Sequence, residues 1–298
     1  METIEKIKKL KEERNAIILA HNYQRPEVQD VADYIGDSLG LAIEASKTDA
    51  SVIVFCGVDF MAESAKILNP DKIVLHPEAG ARCPMAAMVD AATLKKLKKE
   101  KNMDVVAYVN TTAEVKAIAD ICCTSANAVK VVKSMPNGVI FIPDENLGKY
   151  VKRFVDKEMI LWPGFCPTHQ AISPEDIENE RKKHSDAIVI AHPECMPSVI
   201  DMADKVASTE GMVNFAKKSD AKEFIVATEI GLCYRMKKEM PDKEFYCISH
   251  AVCPTMKKIT LDSIIKSLEK MQYEVKIPEE IMEKARKPLR KMIEMGRG

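Results

Sequence analysis

The sequence lacks net charge: 44 lysines and arginines face 45 aspartates and glutamates, a formal balance of −1. That removes the footprint expected of a binder of nucleic acid or anionic membranes. Any apolar run approaching the length of a membrane span is also lacking, and Met1–Lys11 is an amphipathic charged stretch without a signal-peptide core. Both absences indicate the cytoplasm. In that compartment the 9 cysteines are not expected to form disulfides, and an odd count leaves one unpaired. None forms a Cys-x-x-Cys, which excludes a zinc ribbon or a thioredoxin-type motif. Aromatic residues are scarce at 5% while lysine and glutamate abound, a thermophile-like balance. There is no low-complexity segment and no long linker. What is present is an ordinary globular mixture over 298 residues, 46% apolar and 30% charged, able to bury sizeable cores.

Also present is a repeat. Three cysteines are each followed by proline, in Arg82-Cys83-Pro84-Met85, Phe165-Cys166-Pro167-Thr168 and Val252-Cys253-Pro254-Thr255. Other landmarks keep the same order. Short apolar strands lead into His21-Asn22, Asn110-Thr111 and His192-Pro193, followed by Ala32-Asp33, Ala119-Asp120 and Ala203-Asp204. Small hydroxyl residues come next, at Ser38, Thr124-Ser125 and Ser208-Thr209. Then Asp59, Asp144 and Glu229, each 85 residues from the next, end a strand and open a helix. This period predicts three similar α/β units about a pseudo-threefold axis, with one Cys-Pro at an equivalent place in each. Three thiolates near such an axis suit a zinc with one open position, or a [4Fe-4S] cube bound through three of its four irons. The alternative is packing, since free cysteine is among the most buried residue types.

Ala16–Ala20, Val52–Cys56, Val105–Val109, Val139–Ile142, Ile188–Ala191 and Phe224–Ala227 are continuous apolar runs, as in strands buried on both faces of a parallel sheet. Helices are expected at Glu2–Arg14, from Pro26 through Tyr34, at Leu39–Ser46, Asp59–Leu68 and Ala91–Lys101, and from Ser173-Pro174 onward. Two last helices, Thr260–Met271 and Pro278–Met295, are expected to return to the first unit. Open α/β sheets bind ligands at the carboxyl ends of their strands. His21, Asn22, Tyr23, Tyr108, Asn110, His192 and Glu194 leave such ends and would form a concave site with convergent donors. A cap or a satisfied core imidazole is the alternative for any lone histidine. Ser38, Ser125 and Ser208-Thr209 read as helix openings that serve as N-caps, as anion-binding termini, or as both. Asp59, Asp144 and Glu229 read as structural acids that complement a helix dipole. Cys56, Cys122, Cys123, Cys233 and Cys247 read as core packing, with Cys195 left open beside the site motif.

Taken together, these stretches resemble the quinolinate synthases. The resemblance is carried by His21-Asn22-Tyr23-Gln24, Pro26-Glu27-Val28-Gln29-Asp30, Gly36-Asp37-Ser38 and Gly57-Val58-Asp59-Phe60-Met61-Ala62-Glu63. Cys83-Pro84-Met85, Tyr108–Lys116, Thr124–Ala128, His192-Pro193-Glu194-Cys195 and Ala251–Lys257 extend it along essentially the whole chain. Three departures stand out. Ser208-Thr209-Glu210 replaces the usual Ser-Thr-Gly, Arg82 replaces a small threonine, and the Cys-x-x-Cys-x-x-Cys of some bacterial members is absent, so their thiol switch should be absent too. The resemblance implies three αβα sandwich domains, at 1–85 plus 260–298, 86–169 and 170–259, around a [4Fe-4S] cluster held by Cys83, Cys166 and Cys253. It implies condensation of iminoaspartate with dihydroxyacetone phosphate to quinolinate, the pyridine precursor of NAD, with loss of phosphate and two waters. L-aspartate oxidase or aspartate dehydrogenase would supply the imine. Glu194, Tyr23 and His21 would move protons, and Ser38 and Ser125 would hold the phosphate. Tyr108, Asn110, His192, Ser208 and Thr209 would hold carboxylates, with His169 beside the second cluster ligand. Another [4Fe-4S] hydro-lyase would share the open iron, and an iron-sensing module would need a basic or apolar partner surface that no stretch supplies.

Overall fold

The continuous apolar runs form the centres of three parallel sheets; the structure, a computed structural model, describes residues 2–297. The first unit runs α1 (Glu2–Arg14), β1 (Ala16–His21), α2 (Pro26–Val31), β2 (Tyr34–Gly36), α3 (Ser38–Lys47), β3 (Val52–Cys56), α4 (Asp59–Leu68) and β4 (Ile73–Leu75). The second runs α5 (Ala91–Lys101), β5 (Asp104–Tyr108), α6 (Ala113–Lys116), β6 (Ile121–Cys123), α7 (Ala128–Ser134), β7 (Val139–Ile142), α8 (Glu145–Lys152), β8 (Met159–Leu161) and α9 (Pro167–Gln170). The third runs α10 (Pro174–Lys183), β9 (Ile188–Ala191), α11 (Pro197–Ile200), β10 (Lys205–Val206), α12 (Thr209–Lys218), β11 (Glu223–Ala227), α13 (Gly231–Glu239) and β12 (Glu244–Cys247), before α14 (Leu261–Lys270) and α15 (Glu279–Met295).

Strand order is the same in all three sheets: β2-β1-β3-β4, β6-β5-β7-β8 and β10-β9-β11-β12, every pair parallel. Along β3, Val52, Val54 and Cys56 pack into one core while Ile53 and Phe55 pack into another. That alternation is what a strand between two helical layers produces. The fold is thus three αβα sandwiches repeated about a pseudo-threefold axis.

The Ala-Asp landmarks account for the repeated order. Asp33 donates its N–H to the Ile18 carbonyl at 2.9 Å and accepts the Ile18 N–H on Oδ2 at 2.8 Å. Asp120 does the same with Val105, at 3.0 and 2.7 Å, and Asp204 with Val189, at 2.9 and 2.8 Å. Each aspartate docks the chain onto a central strand just before a short edge strand begins. The sequence reading carried the second helix through Tyr34 and missed β2, β6 and β10. The helix ends at Val31 because Asp33 turns back onto Ile18, and runs of two or three residues carry no periodicity.

Helix starts follow their chemistry. Ser173 and Asp176 form a reciprocal capping box before α10, with Pro174 in the first turn, and Thr260 with Ser263 does likewise for α14. α14 packs on α1, whereas α15 lies against α4, α6 and β6 and so ties the first unit to the second. Cys233 on α13 and Cys247 on β12 form a disulfide, contrary to the expectation that no cysteine is bridged; their neighbouring elements bring the Cα atoms to 6.5 Å. Among the described residues no helix is long and apolar enough to cross a membrane.

Leu289 is fully buried on the face of α15 that joins the two units. Leu289→Ala is expected to lower unfolding free energy by roughly 2–5 kcal/mol. Urea titration checks this, and an unchanged midpoint would mean that α15 does not hold the units together.

Candidate functional site

The strand ladders define which residues are equivalent between units. Ala20 pairs with Cys56, Ala107 with Ile142, and Ala191 with Ala227. One residue further on stand His21, Tyr108 and His192; three further on stand Tyr23, Asn110 and Glu194. Alignment of the sequence landmarks had set Asn110 opposite the two histidines, and the ladder register puts Tyr108 there instead. On the edge side His21 pairs with Gly36, Tyr108 with Cys123, and Ala191 with Val206. That register makes Ser38, Ser125 and Thr209 equivalent. All of these residues line one cavity of about 120 Å³, together with Cys83, Cys166, Cys253 and His169. Two sequence candidates do not line it: Asn22, which binds Thr209 and Arg235 instead, and Ser208. Ser208 sits one place early, where it caps α12 by accepting from Gly211 N–H and donates to Asp37 at 3.3 Å.

The cavity is a buried hydrogen-bonded network around one carboxylate. Glu194 Oε2 lies 2.7 Å from His169 Nδ1 and 3.6 Å from His192 Nδ1. Its Oε1 accepts from Asn110 at 3.4 Å, and the Tyr108 phenol stands close to the same carboxylate. Burial pushes the Glu194 carboxyl up, but His169 and His192 outweigh that and hold it below the usual carboxylate range. His169 stacks on His192 with ring centroids 4.7 Å apart, and its Nε2 meets Thr228 Oγ1 at 2.8 Å. Thr228 in turn binds Tyr23 Oη at 2.7 Å. Burial keeps the imidazoles neutral, pushing His21 down to about 4 and His192 down to about 3. Burial and the nearby Glu194 charge push the Tyr23 and Tyr108 phenols well up, so both stay protonated. Asn110 Oδ1 is buried with no partner, leaving an acceptor free in the cavity.

The cysteines arrive on three equivalent Cys-Pro turns. Burial pushes the Cys83 thiol up to about 12 and the Cys166 thiol well above its ordinary value, so only a cation in contact would turn them into thiolates. Cys166, His169 and Glu194 place ligand atoms within 4.8 Å of one another and could hold a metal ion. Cys56, Cys122 and Cys123 are buried in cores, as expected. Cys195 proves to be packing too, fully buried in the core of the third unit.

Sequence reasoning missed several contributors. Thr228, the hinge between Tyr23 and His169, has no repeat counterpart of its type, so periodicity could not mark it. Asp37 caps α3 through Gly40 N–H and forms a paired ion bridge to Arg297 at 2.6 and 2.9 Å. That cap corrects the reading of Ser38 as a capping residue. Ser125 is not a cap either: α7 starts three residues later, and the Ser125 hydroxyl meets His192 Nε2 at 3.1 Å. The departures also find their places. Arg82 is exposed and turned to the Ala79 carbonyl, away from the site. Glu210 binds the buried Arg235 at 2.7 Å; Arg235 also binds Asn22 Oδ1 at 2.7 Å, and Asn22 binds Thr209 at 2.7 Å. Glu210 therefore anchors the third unit's hydroxyl loop to the end of β1.

The chain matches the family model described as quinolinate synthetase A protein over residues 5–294. It is 56% identical to the quinolinate synthase of Thermodesulfovibrio yellowstonii over 98% of this chain and 97% of that one. Identity is 54% with the quinolinate synthase of Methanosarcina barkeri, over 98% and 97% of the two chains. It is 57% with that of Dehalococcoides mccartyi strain CBDB1, over 94% of each.

Breaking the Glu210–Arg235 pair should leave a mostly buried guanidinium sharing Glu239 alone. Glu210→Gly is expected to cost roughly 1–3 kcal/mol of stability, below the full price of an isolated buried charge because Glu239 remains at 2.6 Å. A double-mutant cycle with Arg235→Met should show the cost shrinking when both are absent; additive losses would sink the network. The neutral histidines set a pH dependence. His21 and His192 bind protons in the unfolded chain near pH 6.5 but in the folded chain only near 4 and 3. Stability is therefore complete above about pH 6.5 and falls as pH drops toward 4, by up to about 1.4 kcal/mol per unit per histidine. Urea midpoints of metal-free protein from pH 7.5 to 4 should slope less for His192→Asn than for the parent. Equal slopes would mean that His192 is not held neutral by burial.

Proposed function

The chain belongs to the quinolinate synthase family, and from that premise we propose that it condenses iminoaspartate with dihydroxyacetone phosphate to quinolinate, releasing phosphate and two waters. It is an enzyme of NAD biosynthesis, which sets aside the iron-sensing alternative. Cys83, Cys166 and Cys253 would hold a [4Fe-4S] cluster, and their chemistry fits it: three soft donors from equivalent turns, with no fourth cysteine lining the cavity among the described residues. When bound, the cluster would supply an open iron as Lewis acid for the departure of hydroxide.

The remaining steps fall to the protein's own groups. Glu194, held ionised beside His169, is the base for proton abstraction. Hydrogen-bond directions that satisfy every group run from the Tyr23 hydroxyl to Thr228, from Thr228 to His169 Nε2, and from His169 Nδ1 to Glu194. This line lets a proton taken at one side of the cavity be replaced from the other. Asn110 Oδ1 offers an acceptor to an N–H of the imine substrate. Ser38, Ser125 and Thr209 offer hydroxyls to phosphate or carboxylate oxygens, backed at Ser38 and Thr209 by the N-termini of α3 and α12. Among the described residues no lysine or arginine lines the cavity, so anions would be held by neutral donors. A separate enzyme that oxidises aspartate would supply the imine.

The observation that carries this reading is the ionised Glu194, gripped by His169 and Asn110 beside Tyr108, in the same cavity as the three Cys-Pro turns. Glu194→Gln keeps the shape but removes the base. Turnover to quinolinate under strict anaerobiosis is expected to fall by on the order of 10²–10⁴-fold, with iron content and substrate binding retained. Parent-like turnover would overturn the assignment, and stoichiometric zinc without visible absorption would overturn the cluster.

A further inference from the structure

Asp59 and Glu229 make a contact that a helix start does not require. Asp59 Oδ1 accepts from Phe60 N–H at 2.9 Å, at the opening of its own helix, and also from Cys83 N–H at 3.0 Å. Glu229 accepts from Gly231 N–H at 2.7 Å and from Cys253 N–H at 3.0 Å. Asp144 caps α8 through Leu147 N–H at 2.7 Å, but its Oδ2 is buried without a partner and makes no such bond to Cys166 N–H. A second bond closes each clasp from the other side. The N–H groups of Asp59, Glu145 and Ile230 donate to the carbonyls of Ala81, Gly164 and Ala251, each two residues before its cysteine. At Gly164 a Cβ would stand 2.4 Å from the Pro143 carbonyl oxygen, so the second unit's turn requires glycine.

The second bond shows what the acids serve. Counted along those N–H donors, Val58 is the equivalent of Asp144 and Glu229, so the first unit's acid sits one residue later than the others. Its helix relation differs as well, in the first turn rather than at the cap. The bond to the cysteine N–H is nevertheless the same in the first and third units, at 3.0 Å in each. Proline follows each cysteine, confining its ψ and contributing no N–H of its own. With its N–H pinned and its ψ confined, the backbone of Cys83, like that of Cys253, is fixed on both sides.

We propose that Asp59 and Glu229 are the positioning residues of Cys83 and Cys253, holding these two thiols toward the axis in the metal-free protein. This rests on the reading of those cysteines as cluster ligands. The test is the rate at which a chelator removes iron from anaerobically purified protein, with far-UV circular dichroism of the metal-free form as the folding control. Asp59→Ala is expected to release iron on the order of 10–100-fold faster than the parent. Asp59→Asn should release it at the parent rate, because both N–H groups bind the one oxygen that the amide keeps. Glu229→Asp keeps the charge but is one methylene too short to span both partners, and should behave like the alanine variant. Parent-rate release from Asp59→Ala overturns the proposal, as does fast release from Asp59→Asn, which would make charge rather than the clasp the agent. Should Asp59→Ala fail to fold, the Asp59→Asn and Glu229→Asp pair still decides. Cys83→Ser separates the two readings: undiminished iron there would remove the ligand assignment, whatever the clasp does.

Discussion

The architecture depends on one two-way contact, the aspartate that docks each edge strand on its central strand. Asp33, Asp120 and Asp204 each exchange two hydrogen bonds with a single residue, and so fix the register of β2, β6 and β10. Register in a parallel sheet is unforgiving, because a slip of one residue turns every side chain to the opposite face. A slip of β2 would carry Ser38, two residues past the partner of His21, out of its place in the cavity. The same arithmetic explains why Thr209 reaches the cavity and Ser208, its neighbour, caps a helix behind it.

That geometry delivers polar groups into a setting that penalises charge. Burial drives His21 and His192 to their neutral forms and keeps both tyrosines protonated, so the donors of the site are fixed dipoles. Glu194 is the exception, and it stays ionised because His169, 2.7 Å away, and His192 outweigh the cost of its burial. Held below the usual range, it is a weaker base than a carboxylate in water, but it is ionised and free to take a proton wherever the protein is folded. Asp144 marks the contrast: burial and Glu194 together push it well above the usual range. Two neighbouring carboxyl groups are thus driven apart, one toward ionisation and one toward its acid form.

How far this was legible in the sequence follows from where the repeat is regular. The Cys-Pro turns, the Ala-Asp pairs and the buried strands recur with nearly one period, so the three units and their common cavity could be read before any coordinates. The Ala-Asp pairs could be seen but not understood, since their partners lie 15 residues back in sequence. Edge strands of two or three residues left no pattern. Thr228 and Asp37 were invisible for a different reason: a threonine after a strand and an aspartate before a helix are common wherever chains turn. Glu210 looked like a flaw in a loop, and only the position of Arg235 turns it into an anchor.

Where the repeat is irregular is where the chemistry lies. Three equivalent cysteines on three equivalent turns suit a ligand with threefold symmetry, and such a site by itself treats every direction around the axis alike. A reaction between two different substrates, with protons moved in a set order, cannot be run by a symmetric ring. The positions three residues beyond the central strands break the symmetry as sharply as side chains allow: a phenol at Tyr23, an amide at Asn110 and a carboxylate at Glu194. His169, three residues after Cys166, faces no histidine in the other units, where Ala86 and Met256 stand. It helps keep Glu194 ionised and connects it to Tyr23 through Thr228. Repetition therefore builds the scaffold and its metal-binding turns. The acid, the base and the line between them come from the few places where each unit departs from its copies.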